Sequence, residues 1–573
     1  MKASDYIVEF LIRKEITDVF GYPGGMVTHL MESFSSREDK IKAHICYNEQ
    51  GASFEACGYA QTSGKLGVAY ATSGPGATNL ITGICDAYFD SIPVLFITGQ
   101  VNTFESKAGY QVRQRGFQET DIISMVKSVT KYCHYVTSIE DLVDSLDSAY
   151  EAAMHGRKGP VLLDIPMNVQ RGEIPDKLVR KHLDEEISGG LLSSSPNVAE
   201  FLLPLLKESR RPVVLLGSGI KQSGSRELAR DFVVTTGIPA VTSMTAFDIV
   251  ADLPEYYGFV GAYGERCANF IVAKSDLVIT LGARLDVRQA GAVRENFAPA
   301  AKLVRVDIDE HELSYRIRGS EIDVSMDVKE LLEQLKKAEL PAVDTGWREV
   351  CDTIRNKLSG MDDRLPNVIM RKLSSYIPQD TVITTDVGQN QVWAAQSFDL
   401  KKGQEVLFSG GHGAMGYSLP AAIGAHFGSG RHVVSLNGDG GIQMNIQEMQ
   451  FINRERLPIV TVIFNNKSLG MIRHFQEMYF NSNFTQTVEE GGYSNPLFEK
   501  IAEAYGLTYM RAGSDNDYDL SRVEEFVKEG TPALVEIVID EPTYVSPKLR
   551  FGEPNQDQEP LLDRDLYREI MEL

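Results

Sequence analysis

The chain has 573 residues and a mass of 63.5 kDa, too long for one hydrophobic core, so about three domains are expected. A hydrophobic content of 43% is that of a globular protein, and a formal net charge of −22 with no basic stripe to offset it argues against nucleic acid as the main partner. No apolar run reaches membrane-spanning length, which argues against a membrane protein.

The N-terminal stretch MKASDYIVEFLIRKE reads as an amphipathic helix rather than a signal peptide. Residues 1–175 then alternate helix and strand, with KLGVAYAT and SIPVLFITG as strands between Gly and Pro turns. A linker is expected at VRKHLDEEISGGLLSSSPN, followed by a second α/β unit over 190–340 with strands VVLLG, PAVTS and LVITLG. A second linker, through DTGWREV and RNKLSGMDDRLP, leads to a third unit over 365–545 carrying TVITTD, HVVSL, IVTVIF and ALVEIVI. The tail 546–573, rich in acids, Pro and Gln, is expected to drape over a neighbouring surface. The pattern predicts three α/β domains with mainly parallel, doubly wound sheets. The six cysteines (Cys46, Cys57, Cys85, Cys133, Cys267 and Cys351) form no CxxC pair, which fits small core residues of a reduced, cytoplasmic protein.

One segment carries the most chemistry. GDGGIQMNIQEMQFINRERLPIVTVIFNN, Gly438 to Asn466, places Asp439 and Asn466 at the carboxyl ends of two apolar strands separated by about one helix. Such a unit brings the strand ends side by side. A carboxylate, an amide oxygen and nearby backbone carbonyls suit a hard cation such as Mg2+, which takes few protein ligands and completes its shell with phosphate oxygens. Glycines let backbone amides approach an anion. Asn445 and Glu448 have capping-box spacing and are expected to open the helix of Ile446, Met449, Phe451 and Ile452. LPIVTVIF, uncharged and β-branched, is expected to be buried on both faces. An ordinary βαβ unit with a polar turn is the plainer reading of GDG alone.

The unit resembles the thiamine diphosphate signature. The wider chain is similar to the acetolactate synthase branch of thiamine-dependent decarboxylases and carboligases, through FGYPGG, NEQGASFEACGYAQTSG, ATSGPGATN, RGFQETDI, GPVLLDIP, GARLDVR, DVGQNQVWAAQ and GAMGYSLPAAIGA. The resemblance implies a pyrimidine-binding first domain, a central FAD-type domain and a diphosphate-binding third domain. It implies that Glu49 of YNEQGA is the catalytic group that activates the cofactor. Without it, Glu49 reads equally well as a helix-start acid favoured by the dipole.

The resemblance further implies a metal held by Asp439, Asn466 and Ser468, the last through its backbone carbonyl. Cofactor contacts are implied at Gly25, Val387, Gly388, Gln389, Gly413, Gly438, Gly440, Gly441 and Met471, with Met415 as the bulky wedge under the cofactor. In the middle domain LGSGI alone is a weak glycine turn. GARLDVRQAG, similar to a stretch that contacts FAD, implies a largely structural flavin at Arg284, Asp286 and Arg288. Gly217, Gly282, Asp307, Asp327 and Arg157 are further FAD candidates. Ala262 and Tyr263 depart from the family there.

Two departures fall in the expected substrate pocket. Met167 in DIPMNVQ stands where the family has lysine. Phe475 in GMIRHFQ stands where it has a tryptophan that helps select the second 2-oxoacid; Phe keeps an aromatic wall but lacks the N–H donor. Phe117 and Gln118 are retained as lining residues. Arg113 and Arg115 offer guanidinium groups able to pair with phosphate, although a solvated loop is the plainer reading.

The resemblance implies decarboxylation of pyruvate and transfer of the two-carbon unit to a carbonyl, foremost to a second pyruvate to give 2-acetolactate. The alternative acceptor is a nucleotide-linked keto sugar, favoured modestly by Phe475 and the arginines. A quinone-linked pyruvate oxidase and a non-catalytic relative are weaker readings. The implied assembly is a homodimer or homotetramer with sites shared between subunits, with room for a regulatory subunit.

Overall fold

In a computed structural model of the chain, which describes residues 1–178, 197–513 and 517–573, the strands form three six-stranded sheets. Every pairing is parallel. The first sheet holds β1 (Asp18–Gly21), β2 (Lys42–Ile45), β3 (Gly67–Ala71), β4 (Val94–Gln100), β5 (Tyr132–Tyr135) and β6 (Val161–Pro166), in the order β2-β1-β3-β4-β6-β5. The second holds β7 (Pro212–Leu216), β8 (Ala240–Thr242), β9 (Tyr256–Phe259), β10 (Leu277–Leu281), β11 (Lys302–Asp307) and β12 (Ile322–Ser325), ordered β12-β11-β10-β7-β8-β9. The third holds β13 (Thr381–Thr385), β14 (Glu405–Phe408), β15 (His432–Gly438), β16 (Ile459–Asn465), β17 (Thr508–Ala512) and β18 (Ala533–Val538), ordered β14-β13-β15-β16-β18-β17.

The first and third sheets therefore wind in the same pattern, and the second has the order of a dinucleotide-binding sheet. In each, the winding departs in opposite directions from two central strands: β1 and β3, β7 and β10, β13 and β15. Crevices for ligands open at the carboxyl ends of such strand pairs. The expected strands are all present, and β16 is buried along its full length, as its uncharged run requires.

The first expected linker lies outside the described residues except for Asn197. The second is not a linker over its whole length. Thr345–Leu358 is a helix, capped by the Asp344 side chain, that buries Trp347, Cys351, Ile354 and Leu358 against the middle domain. Its apolar residues recur at helical spacing inside a charged segment, and Trp347 Nε1 donates to the Pro212 carbonyl at 3.1 Å. The tail drapes over the middle domain. Leu549 N–H donates to the Ala262 carbonyl at 2.7 Å, and Arg266 donates to the carbonyls of Gln558 and Pro560 at 2.9 and 2.7 Å. A last helix, Arg564–Glu572, seats Ile570 in the same core.

The first and third domains are joined through the crossing of helix Glu49–Ser63 with helix Ser418–Ser429. The contact is backbone to backbone. A Cβ on Gly424 would sit 1.8 Å from the Glu55 carbonyl oxygen, one on Gly58 2.2 Å from that of Ala421, and one on Gly428 2.3 Å from Thr62 Oγ1. Ala52, Ala56, Ala60, Ala421, Ala422 and Ala425 complete one core spanning both domains. Neither helix has a polar face to offer solvent, because both are covered nearly all round. Gly424→Val should lower the apparent melting temperature by about 5 °C or more, since overpacking a tight contact costs about 1–3 kcal/mol and the backbone here cannot yield. Differential scanning calorimetry checks this against Gly319→Ala, whose added methyl meets open space. Equal melting temperatures for the two variants would contradict the close crossing.

Candidate active site at the carboxyl edge of the third sheet

β15 and β16 pair in a register that sets Gly438 opposite Phe464, so Asp439 comes level with Asn465, one residue short of Asn466. Asp439 is buried. Its Oδ2 accepts hydrogen bonds from Asn495 Nδ2 at 2.6 Å and the Ser468 amide at 3.2 Å, and its Oδ1 accepts from the Gly440 amide at 3.0 Å. Asn466 Oδ1 faces the same Ser468 amide at 3.2 Å, while its Nδ2 donates to Thr543 Oγ1 at 2.7 Å and Gln389 Oε1 at 3.1 Å. Two hard oxygens thus converge on one point. Asn465 donates to Glu536 at 2.6 Å, and its Oδ1 accepts from Asn495 Nδ2 at 2.9 Å, so it positions the amide that holds Asp439.

Burial pushes the Asp439 carboxyl up to about 6, against the pull of its hydrogen-bond donors. A buried carboxylate with no basic partner contributing to its charge balance is costly unless a cation joins it, and its neighbours are oxygens of the kind Mg2+ takes. Ser468 Oγ is buried without a protein partner, and the Tyr493 hydroxyl lies against the Asp439 carboxylate and Gln443, 3.3 Å from where a Cβ on Gly440 would stand. The donor set and the Ser468 hydroxyl fit a metal ion with a diphosphate.

The opposite wall follows β13. Asp386 Oδ1 accepts from the amides of Gly416 and Tyr417 at 2.9 and 3.0 Å, which fixes the loop that presents Gly413 and Met415. Burial raises this carboxyl to about 7, and Gly441 packs so closely on Oδ2 that a Cβ there would lie 1.7 Å away. Gly388 has φ +149°, a backbone that favours glycine. From the first domain, Asp90 accepts from the amides of Gly410 and Gly411 at 2.7 and 2.8 Å, and Asp86 accepts from the Ser409 hydroxyl.

The expected capping box does not form. Two short 3-10 turns precede a helix that begins only at Met449, and Asn445 makes no capping bond. Glu448 instead crosses to the first domain, where its carboxylate accepts from the Tyr47 amide at 2.9 and 3.2 Å. It lies beside buried Glu55, and burial lifts Glu448 to about 7 and raises Glu55 well above its ordinary value too.

A single cavity of about 890 Å3 joins the third and middle domains. Every candidate in the third domain, from Val387 and Met415 through Asp439 and Asn466 to Met471 and Phe475, lines it, as do all the candidates for FAD. Among the latter, Gly217 and Gly282 bring the ends of β7 and β10 so close that a Cβ on Gly217 would lie 2.0 Å from the Gly282 oxygen, leaving an open backbone cradle at the switch point. Asp286 and Asp327 cap helices there, Arg284 pairs with Asp286 at 2.8 Å, and Arg157 pairs with Glu312 and Asp309 at 2.6 and 2.9 Å. Tyr263, one of the departures, is on the wall.

Glu49, Gly25, Phe117, Gln118 and Met167 do not line this cavity. They sit along the carboxyl edge of the first sheet. Gly25 opens a turn after β1, Met167 follows β6, and Glu49 starts its helix after β2, with Oε2 accepting from Asn79 Nδ2 at 2.9 Å. Gln118 packs on Gly74 beside them. Phe117 is 78% exposed. Arg115 is not free for phosphate: its guanidinium donates to the carbonyls of Phe104 and Ser106 at 2.8 and 3.0 Å and braces its own loop.

Three domain families cover the chain: thiamine pyrophosphate enzyme N-terminal TPP binding domain over residues 1–125, central domain over 199–335 and C-terminal TPP binding domain over 386–537. The fold is thus that of a thiamine pyrophosphate enzyme. The acetolactate synthase isozyme 2 large subunit of Escherichia coli (strain K12) is 33% identical over 97% of this chain and 99% of its own length. The acetolactate synthase large subunit of Lactococcus lactis subsp. lactis (strain IL1403) is 34% identical over 96% and 94%. Acetolactate synthase 2, chloroplastic, of Nicotiana tabacum is 35% identical over 96% and 84%. The chain belongs to the acetolactate synthase large-subunit family. Among the described residues no helix is long and apolar enough to cross a membrane.

Asp439→Ala should weaken Mg2+-dependent thiamine diphosphate binding by about 10-fold or more, and Asn495→Ala, which strips one donor from the same carboxylate, by about 10-fold. Titration of quenching of intrinsic fluorescence at fixed Mg2+ measures both. Unaltered affinity in Asp439→Ala would contradict the assignment.

Proposed function

We propose that the protein decarboxylates pyruvate and joins the two-carbon unit to a second pyruvate, giving 2-acetolactate, with thiamine diphosphate, Mg2+ and a structural FAD. The observation that carries this is the convergence of Asp439 and Asn466 on one point at the carboxyl ends of β15 and β16, within a chain of this family. Bound thiamine diphosphate supplies an electron sink for losing carbon dioxide and passing the remaining carbons on. Asp439, Asn466 and the Ser468 backbone would hold the metal. Gly440, Gly441 and the unpaired hydroxyl of Ser468 would receive the diphosphate. Gln389 and Thr543 engage the Asn466 amide nitrogen and so aim its oxygen toward the ion. Met415 stands above Gly440, where the cofactor would bend.

Glu49 is the proton-holding group in this reading. It lies outside its own chain's cavity, which supports a site completed by Glu49 of a second copy, in a homodimer or a pair of dimers. The exposed Phe117 on the same edge would then enter that cavity. FAD would occupy the cradle between Gly217 and Gly282. The keto-sugar alternative loses part of its support, because Arg115 is spent on its own loop. Six free thiols, four of them buried, fit the cytoplasmic location that the proposal includes.

Glu49→Gln should leave cofactor binding intact and lower ketol formation from pyruvate by roughly 100-fold or more, the scale of a lost proton-transfer group. Product assay by mass spectrometry alongside a thiamine diphosphate titration tests it. Near-normal turnover would remove Glu49 from the mechanism.

A further inference from the structure

The Gly116-Phe117-Gln118-Glu119 segment of the first domain ends in a carboxylate to which the proposed function gives no part. Glu119 is buried and clasps two separate stretches of chain. Its Oε1 accepts from the Lys107 amide at 2.6 Å and the Ser106 hydroxyl at 2.9 Å, and its Oε2 accepts from the amides of Arg115 and Gly116 at 3.0 and 3.3 Å. Burial pushes this carboxyl up, but the four donors outweigh burial and hold it below its ordinary value, so it is ionised near neutral pH.

The loop between these stretches has no hydrophobic core, because from Thr103 to Gln118 only Gly116 is buried. Further ties come from exposed side chains: Lys107 Nζ donates to the Arg113 carbonyl at 3.1 Å, and Arg115 donates to the carbonyls of Phe104 and Ser106. The clasp is thus the one buried polar centre of the loop.

The residue next to the clasp is strained. Gln118 has φ +63°, a left-handed backbone that is unfavourable for a residue with a side chain and persists where its surroundings enforce it. It packs on Gly74 so closely that a Cβ there would lie 2.9 Å from the Gln118 Cβ. Gly74 opens the short helix Pro75–Asn79, which also touches Glu49. A Cβ on Gly76 would lie 3.2 Å from Glu49 Oε1, and Asn79 Nδ2 donates to Glu49 Oε2 at 2.9 Å. Gln118 and Glu49 are therefore seated on one turn of chain at the carboxyl edge of the first sheet.

We propose that Glu119 is a positioning residue for pyruvate turnover: its carboxylate fixes the loop that holds Gln118 in this backbone, and so sets the Gln118 amide beside Glu49, where it meets an oxygen of the substrate. This rests on the carboligase reading above, with Glu49 and Gln118 entering the shared site together. Glutamine at position 119 would keep the shape of the side chain but offer one acceptor oxygen in place of two, with its NH2 facing two of the four donors.

A double-mutant cycle on the full-length enzyme, loaded with thiamine diphosphate, Mg2+ and FAD, separates positioning from a merely structural role. Gln118→Ala and Glu119→Gln should each lower kcat/KM for pyruvate by about 10-fold, the scale of one lost hydrogen bond to a charged group or of a small misplacement. The double variant should be no worse than Gln118→Ala alone, because Glu119 acts through Gln118. Should Glu119→Gln fail to fold, Ser106→Ala, which takes one donor from the clasp, carries the same cycle with a loss of about 5-fold. Losses that multiply in the double variant, or an unaltered kcat/KM in either single variant, overturn the role of Glu119. An unmodified enzyme that consumes no pyruvate overturns the carboligase reading and this inference with it.

Discussion

The structure depends on one close contact, the crossing of helix Glu49–Ser63 with helix Ser418–Ser429. Glycines at 58 and 424 let two backbones touch where any side chain would force them apart. That contact sets the first sheet against the third in a single shared core. It also decides where the carboxyl edges of the two sheets face. The Glu448 carboxylate reinforces it by reaching out of the Gly438–Asn466 unit to hold the Tyr47 amide, two residues before Glu49. The acid proposed to hold the cofactor's proton is therefore oriented by the same chain whose cavity it does not enter.

The electrostatics of the site have a common cause. Asp386, Asp439 and Glu448 are each buried, and burial raises the pKa of each. Backbone and amide donors pull the other way, joined at Glu448 by the charge of Arg454. A buried carboxylate with neutral donors at Asp439 would suit the divalent cation proposed there. Positive charge on the same cavity wall comes from Arg157, Arg284, Arg288 and Lys548.

Much of this was legible from the chain because its signals are local. Strand runs, the glycine turns at their ends and the separation of Asp439 from Asn466 follow from short-range pattern, and parallel pairing of β15 with β16 then brings the two residues together. What was not legible depends on distant segments. Asn495 and Thr543 hold Asp439 and Asn466 from loops 56 and 77 residues away. Tyr493 reaches Asp439, and Lys548 the cavity, from segments with no motif of their own. The capping box failed for the same reason: a buried partner at Tyr47 outweighed a local bond that Glu448 could have made. Thr345–Leu358 was read as a linker because its charge hid a helical stripe from Trp347 to Leu358, visible only once the middle domain presents a surface to cover.

The central claim is that Glu49 and Asp439 of different copies build one site. It is tested most directly by mixing two inactive variants, Glu49→Gln and Asp439→Ala, after dissociating and reassociating the subunits. If sites are shared, each mixed dimer contains one intact pairing, and ketol formation should return to roughly a quarter of the unmutated level for random pairing of equal amounts. Activity that stays at the level of the separate variants, with mixed dimers shown to be present by native mass spectrometry, would contradict the account.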